Sequence, residues 1–426
     1  MLVLLGAVAD DFTGATDLCS MLVRNGMRTI QLIGVPGPDL EVPEADAVVV
    51  ALKSRTAPVA QAVAESLAAQ RWLAAQGARQ YLFKYCSTFD STDAGNIGPV
   101  ADALLDAVGG DFTIACPAFP ETGRTIFLGH LFVGEALLSD THMRHHPLTP
   151  MTDADLVRVL GRQTRRKVGL VRYDVVRRGP DAIRARFAEL RAAGCAYAVT
   201  DVTEDQDLRR LGEACADLAL LTGGSGIAMG LPENFRRAGL LATGAASDEL
   251  PAVTGGEAVL AGSCSAATLE QVAAMAQRRP ALRLEPERLA SGFAAGEAVA
   301  WARQRLGDGP VLIYASASPD EVRAAQERLG REQAGALVER ALAGIARGLV
   351  EAGVRRLVVA GGETSGAVVQ TLDVKGLLIG PTIDPGVPAT VSIGREPQLA
   401  LALKSGNFGG REFLTRAFAV MPGGRG

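Results

Sequence analysis

Aromatic residues are scarce, 5% of 426, with two tryptophans and five tyrosines. A chain this poor in stacking surfaces offers no platform for single-stranded nucleic acid. Surplus positive charge is missing too. Lys and Arg number 43 against 47 Asp and Glu, a formal net charge of −4. No global field therefore recruits DNA, RNA or anionic lipid. The six cysteines, at 19, 86, 116, 195, 215 and 264, form no CxxC pair, and there are four histidines. This argues against a structural zinc site or a disulfide framework, and for reduced thiols of a cytoplasmic protein. No apolar run approaches the roughly 18 residues needed to cross a bilayer. Residues 2–9 are apolar, but they lack a basic leader and run straight into Asp10-Asp11. They read as a buried first strand, not a signal peptide. Two nucleotide signatures are also absent: a Walker A GxxxxGK[ST], and a GxGxxG opening a βαβ unit.

Hydrophobic residues make up 48% of the chain and charged residues 21%. That balance and the length suit two cores. Apolar runs at residues 2–9, 47–52, 81–85, 112–116, 168–171 and 197–199 read as strands. Helical patterns fill the gaps, at 14–26, after Pro58 and at 180–193. Residues 243–257, TGAASDELPAVTGGE, break the rhythm with linker chemistry. Strands follow at 258–262, 311–314, 357–360 and 389–393, and helices at 269–277, 292–306 and 410–417. A long helix carries Val338, Leu342, Ile345 and Leu349 on one stripe. The expected fold class is α/β, with two α/β domains, mostly parallel sheets flanked by helices, and a cleft between them. The expected domains are 1–242 and 258–426.

In the first domain, residues 9–17 read ADDFTGATD. Ligands of open α/β sheets bind beyond the carboxyl ends of the strands, where Asp10 and Asp11 fall. Adjacent carboxylates need a hydroxyl, cation or metal beside them. Either could take a proton from an attacking hydroxyl. Gly14 allows close backbone approach, and Thr13 is placed to cap the helix. A plain turn with an Asp cap fits as well. Lys53 and Arg55, then Lys84, Ser87 and Asp90, then Arg124 follow further strands. Parallel strands would open all these loops on one edge, collecting cations and hydroxyls for a small hydroxylated carboxylate. Singly, each cation is a plausible surface charge. His142, His145 and His146 lack standard metal-ligand partners. They read as a surface or substrate loop, and no metal ligand is assigned. Thr222 to Gly226 read as a hinge, a phosphate-facing turn or a tight loop.

In the second domain three glycine-bearing turns precede helices: Gly262-Ser263-Cys264-Ser265, Gly361-Gly362-Glu363-Thr364-Ser365-Gly366, and Lys404 to Gly410. Small residues at helix starts make anion nests, and three in one domain suit a polyphosphate. The candidate nucleotide contacts are Ser263, Ser265, Gly361, Gly362, Glu363, Thr364, Gly406 and Asn407.

These motifs, with KSRT, KYCSTFDST, GNIGP, MRHHPLTPMTD and TGGSG in order, resemble the four-carbon acid sugar kinase family over nearly the whole length. The chain is particularly similar to the 3-oxo-tetronate kinase branch. The resemblance implies a sugar acid bound by the first domain and ATP by the second, with contacts at Ser263, Gly361 through Thr364, and Gly406. It implies phosphorylation of the C4 hydroxyl of a 3-oxo-tetronate such as 3-dehydro-erythronate. Phosphoryl transfer of this kind uses Mg²⁺ on the ATP phosphates. Expected partners are thus the sugar acid and ATP, without nucleic acid or membrane, and with a homodimer left open. A threonate or erythronate kinase, a nicotinamide-dependent sugar-acid dehydrogenase and a non-catalytic binding protein are the alternatives.

Overall fold

Leu5–Ala9 is buried along its whole length, so its sequence is an unbroken apolar run and not an alternating one. The same holds for Ala47–Ala51. The computed structural model describes residues 3–37, 40–146, 148–242, 248–290 and 295–423. Leu2, Thr243 to Ser247 of the expected linker, Gly292 to Ala294 of an expected helix and Pro147 of the histidine loop lie outside the described residues. The chain forms two units, Met1–Ser247 and Asp248–Gly426.

In the first unit eight strands of the described residues lie side by side in the main sheet. Their order is Thr29–Ile33, Ala47–Ala51, Leu5–Ala9, Gln80–Lys84, Leu220–Gly223, Thr113–Cys116, Cys195–Thr200, Lys167–Val171. All neighbours are parallel. Helices Phe12–Arg24, Val59–Ala75, Ile97–Ala107, Pro180–Ala192 and Asp205–Ala214 supply crossovers. After Ala47–Ala51 the chain passes to the other side of Leu5–Ala9 to lay down Gln80–Lys84. The strand order reverses there, and such a switch point opens a crevice at the strand ends.

Thr29–Ile33 was not anticipated because it carries Thr29 and Gln31. Gln31 is buried but satisfied: its amide oxygen accepts from Thr16 Oγ1 at 2.8 Å, and its nitrogen donates to the Phe12 carbonyl at 3.3 Å. A small antiparallel sheet, Arg124–Phe127, His130–Val133 and Ala136–Leu137, was also not anticipated. Buried Asp201 pins its first turn, accepting from the N–H groups of Leu128, Gly129 and Tyr173 at 2.8, 2.8 and 2.9 Å. The TGGSG segment ends a strand. A Cβ on Gly223 would lie 2.2 Å from the Cys116 carbonyl oxygen, so close backbone packing explains that glycine.

In the second unit Ala281–Arg283, Val311–Tyr314, Gly256–Ala261, Val354–Ala360 and Ala400–Lys404 are parallel neighbours in that order. The first of the three nest-bearing strands begins at Gly256, inside the expected linker. Val387–Ile393 and Gly376–Asp384 continue the sheet antiparallel. Gly380 and Pro381 hid the latter strand, and its register is irregular beside them. Helix Phe413–Val420 drops Phe413, Leu414, Ala417 and Phe418 onto a core of Val259, Val358, Ala402 and Val391. Among the described residues no helix is long and apolar enough to cross a membrane.

Candidate active site

Three adjacent parallel strands of the first unit deliver one charged cluster. Leu5–Ala9 ends at Asp10, which is only 5% exposed. The loop after Ala47–Ala51 brings Arg55, and the segment after Gln80–Lys84 brings Asp90. The backbones are joined as well: Asp10 N donates to the Lys84 carbonyl at 3.0 Å, and Ser54 N to the Asp10 carbonyl at 3.0 Å. Arg55 Nε and Nη2 each reach an Asp10 oxygen at 2.9 Å. Arg55 Nη2 also reaches Asp11 Oδ1 at 2.8 Å, and Nη1 lies 3.6 Å from Asp90 Oδ2. Arg55 therefore spans three carboxylates, and its fork suits a bidentate partner.

Asp11 caps helix Phe12–Arg24, accepting from Gly14 N at 3.1 Å. Thr13 does not cap it; its hydroxyl donates to Asp11 Oδ2 at 2.8 Å. The reason is that the helix starts two residues before Gly14. Gly14 is there for space: a Cβ would sit 2.8 Å from Lys84 Nζ and 2.2 Å from Asp11 Oδ1. Lys84 is 3% exposed and donates to the Tyr85 carbonyl at 2.7 Å.

Electrostatics separate the two aspartates. Burial pushes the Asp10 carboxyl up, against the pull of Arg55. Burial also opposes ionisation of Asp11, but Arg55, Lys84, the Thr13 hydroxyl and the Gly14 N–H outweigh it and hold its carboxyl below the ordinary value. Asp17, not singled out from sequence, joins this environment; burial pushes its carboxyl up while Lys84 opposes the rise. Its spacing from Thr13, i to i+4 on one helix, was the available signal.

Asp90 sits on strained backbone. Phe89 and Asp90 have φ of 65° and 26°, left-handed backbone that non-glycine residues adopt rarely. Thr88 Oγ1 donates to Asp90 Oδ1 at 2.6 Å. Asn96 was also missed: its amide donates to the carbonyls of Ser54, Arg55 and Ala57 at 2.7, 3.3 and 2.9 Å, fixing the Arg55 loop. Its GNIGP context gave no chemical hint.

Among the described residues the remaining candidates make no hydrogen bond or ion pair with this cluster. Lys53 is exposed, with no hydrogen bond or ion pair among the described residues. Ser87 is half-buried. Arg124 opens the small antiparallel sheet and donates to the Thr122 carbonyl. His142 and His145 are exposed in a short turn, and His146 Nδ1 accepts from Thr149 N at 3.1 Å.

In the second unit the three glycine turns meet at Ser263. They follow Gly256–Ala261, Val354–Ala360 and Ala400–Lys404, which are neighbours in the sheet. A Cβ on Gly406 would lie 2.2 Å from Ser263 Oγ, one on Gly361 3.2 Å from Ser263 N, and one on Gly262 2.3 Å from Thr364 Oγ1. Gly361 has φ 131°. Ser265 caps helix Ala266–Ala276, and Gly361 precedes helix Gly362–Thr371. Two helix N-termini thus open at one place, where anions are favoured. A cavity of about 580 Å³ adjoins them, lined by Gly262, Ser263 and Gly361 to Thr364. Its lining also includes Ala317, Val322, Ala325 and Val338. Asn407 is exposed on the third turn.

A model of a sugar-binding N-terminal domain matches residues 5–231, and one of a nucleotide-binding C-terminal domain matches residues 258–414. The chain is 64% identical to the 3-oxo-tetronate kinase of Pseudomonas fluorescens, over 99% of this chain and 98% of that one. The chain belongs to the four-carbon acid sugar kinase family. It is also 63% identical to the 3-oxo-tetronate kinase of Burkholderia multivorans, again over 99% and 98% of the two chains. Among solved structures, a Haemophilus influenzae protein superposes with a TM-score of 0.84 at 44% identity, covering 97% of this kinase and 98% of that chain. For this kinase the two matched models fall on the Asp10–Arg55–Asp90 cluster and on the Ser263 cradle.

Proposed function

We propose that this kinase transfers the γ-phosphoryl group of ATP to the C4 hydroxyl of a 3-oxo-tetronate, such as 3-dehydro-erythronate. ATP is assigned to the second unit and the sugar acid to the first. The observation that carries the ATP assignment is the meeting of three glycine turns at Ser263 beside a 580 Å³ cavity. The shared name of the relatives supports the acceptor.

Such a reaction asks the protein mainly for positioning and charge neutralisation. Backbone N–H groups at the starts of helices Ala266–Ala276 and Gly362–Thr371 hold the phosphates. The apolar wall of Ala317, Val322, Ala325 and Val338 takes the base. Glu363 and Thr364 line the same cavity and supply a carboxylate and a hydroxyl, hard oxygen ligands of the kind Mg²⁺ accepts. When bound there, Mg²⁺ supplies charge neutralisation of the phosphates. Asp11 is the base. Its side chain is 26% exposed, whereas that of Asp10 is 6% exposed with both oxygens held by Arg55. Asp11 receives the C4 hydroxyl proton, while Asp10 and Arg55 fix its position. Lys84, which keeps further N–H donors beyond Tyr85, faces the carboxylate of the acid. Use of ATP and six free thiols fit a cytoplasmic setting.

A coupled ADP-release assay over 3-dehydro-erythronate, threonate and erythronate tests the reading. The 3-oxo acid is expected to give the highest kcat/KM and a 4-phosphate product by ³¹P NMR. A reduced acid phosphorylated with greater efficiency would replace the acceptor. ATP hydrolysis that no acid stimulates would remove the kinase assignment.

A further inference from the structure

Lys404 is fully buried, at 0% exposure, in the heart of the nucleotide unit. Among the described residues no carboxylate pairs with it. Its ammonium donates instead to three neutral oxygens: Thr268 Oγ1 at 3.0 Å, the Ser405 carbonyl at 3.1 Å and the Gly406 carbonyl at 2.9 Å. An uncompensated buried cation is expensive for the fold, and an apolar side chain of similar volume would stabilise it more. This position therefore calls for an account beyond packing.

The surrounding hydrogen bonds supply one. The Gly406 carbonyl accepts not only from Lys404 but also from Ser265 Oγ at 2.6 Å and Thr268 Oγ1 at 2.8 Å. Three residues further along the same helix, Gln271 Nε2 donates to the carbonyls of Phe408 and Gly409 at 3.0 and 2.7 Å. Ser265, Thr268 and Gln271 are spaced by three and share one helix face. That face grips the 405–409 turn through its carbonyls. Lys404, at the end of the preceding strand, adds its own bond to Thr268 while holding the Ser405 and Gly406 carbonyls of the turn. The helix also carries the Ser263–Ser265 nest at its start, so the first and third glycine turns are locked into one body. Gly406 is packed against Ser263 by the same arrangement.

We propose that Lys404, acting with Thr268, is a positioning residue for ATP: it clasps the Gly406 turn to the Ser263–Ser265 nest and so sets the phosphate cradle. The inference rests on the kinase reading and extends it to residues that do not line the cavity. Arrival of a polyanion beside an unpaired buried cation is favourable in a low-dielectric site, so charge and geometry act in the same direction.

The test uses K404M, K404R and T268V in the full chain. ATP and ADP dissociation constants are measured by calorimetry, alongside KM and kcat for both substrates. Loss of a charged hydrogen-bond donor predicts about a 10- to 100-fold rise in Kd and KM for ATP in K404M. T268V should show about a 5-fold rise, from the lost hydroxyl that donates to the Gly406 carbonyl and accepts from Lys404. At saturating ATP, kcat stays within about threefold, and KM for the sugar acid does not move. K404R, which keeps the charge, recovers part of the affinity. A merely structural role would lower the unfolding midpoint without separating the two KM values. If K404M does not fold, T268V decides. Wild-type protein that binds ATP while folded K404M and T268V bind it equally well overturns the clasp alone. Wild-type protein that binds no ATP overturns the clasp together with the kinase reading.

Discussion

Arg55 holds both carboxylate oxygens of Asp10, each at 2.9 Å, across 45 residues of chain. The pair sits where the strand order of the first unit reverses, and Asp11 and Asp90 complete it. Arg55 was expected to meet the carboxylate of the substrate. In the folded chain its donors are directed at protein carboxylates, which points to the role of organising the base.

Replacing Arg55 by Met should therefore damage fold and catalysis together. Asp10 would be buried without its partner, a loss of roughly 3–5 kcal/mol. Urea unfolding should show that loss, and turnover should fall by more than about 100-fold. R55K keeps the charge without the fork and should fall between the two. A stable R55M with normal turnover would refute the organising role.

D11N and D10N should behave differently. Asn is as good a helix cap as Asp, so D11N keeps helix Phe12–Arg24 and lowers the unfolding midpoint only by the lost charge pair with Arg55. Its kcat should drop by about 10²- to 10⁴-fold with the Kd for ATP unchanged. D10N should lose stability as well, because it breaks the bidentate pair. Equal kcat for D11N and wild type would remove Asp11 as base.

G361A should weaken ATP and spare the sugar acid. At φ 131° any side chain is strained, and the new Cβ would crowd Ser263 N at 3.2 Å. The strain is about 1–3 kcal/mol, or about a 5- to 150-fold rise in Kd for ATP. Calorimetry with each ligand separately checks it.

Burial lowers the Lys404 pKa from 10.5 to about 8. Its partners, Thr268, Ser405 and Gly406, are neutral, so no neighbouring carboxylate offsets the shift. KM for ATP should rise as pH passes about 8 and the ammonium is lost, and K404R should abolish that rise. The stability effect has the opposite sign. Between about 8 and 10.5 the native chain binds fewer protons at this site than the unfolded chain, so this group makes folding more favourable as pH rises. KM profiles and unfolding midpoints over pH 7 to about 10 separate the two trends.

Much of the fold was legible because buried parallel strands are unbroken apolar runs. Val311–Tyr314 matches its expected bounds, and Ala47–Ala51 differs by one residue. The rest was hidden where polar or conformationally special residues enter strands: Gln31, made tolerable by Thr16, and Gly380-Pro381, accommodated by irregular register. In the site, glycine turns announced the cradle, whereas Asn96 and Thr268 looked like ordinary polar residues. Their chemistry lies in which distant carbonyl each one reaches.

By itself the amino-acid order determined which loops end strands, because apolar runs and glycine placement are local properties. It thereby set which charged and glycine-bearing segments would lie at a sheet edge. Only the tertiary structure decided that Arg55 serves Asp10 and that Lys404 and Gly406 both meet Thr268. Those choices depend on which strands and helices become neighbours, and hydrogen bonds between residues 45, 136 and 138 positions apart leave no periodic trace in the chain.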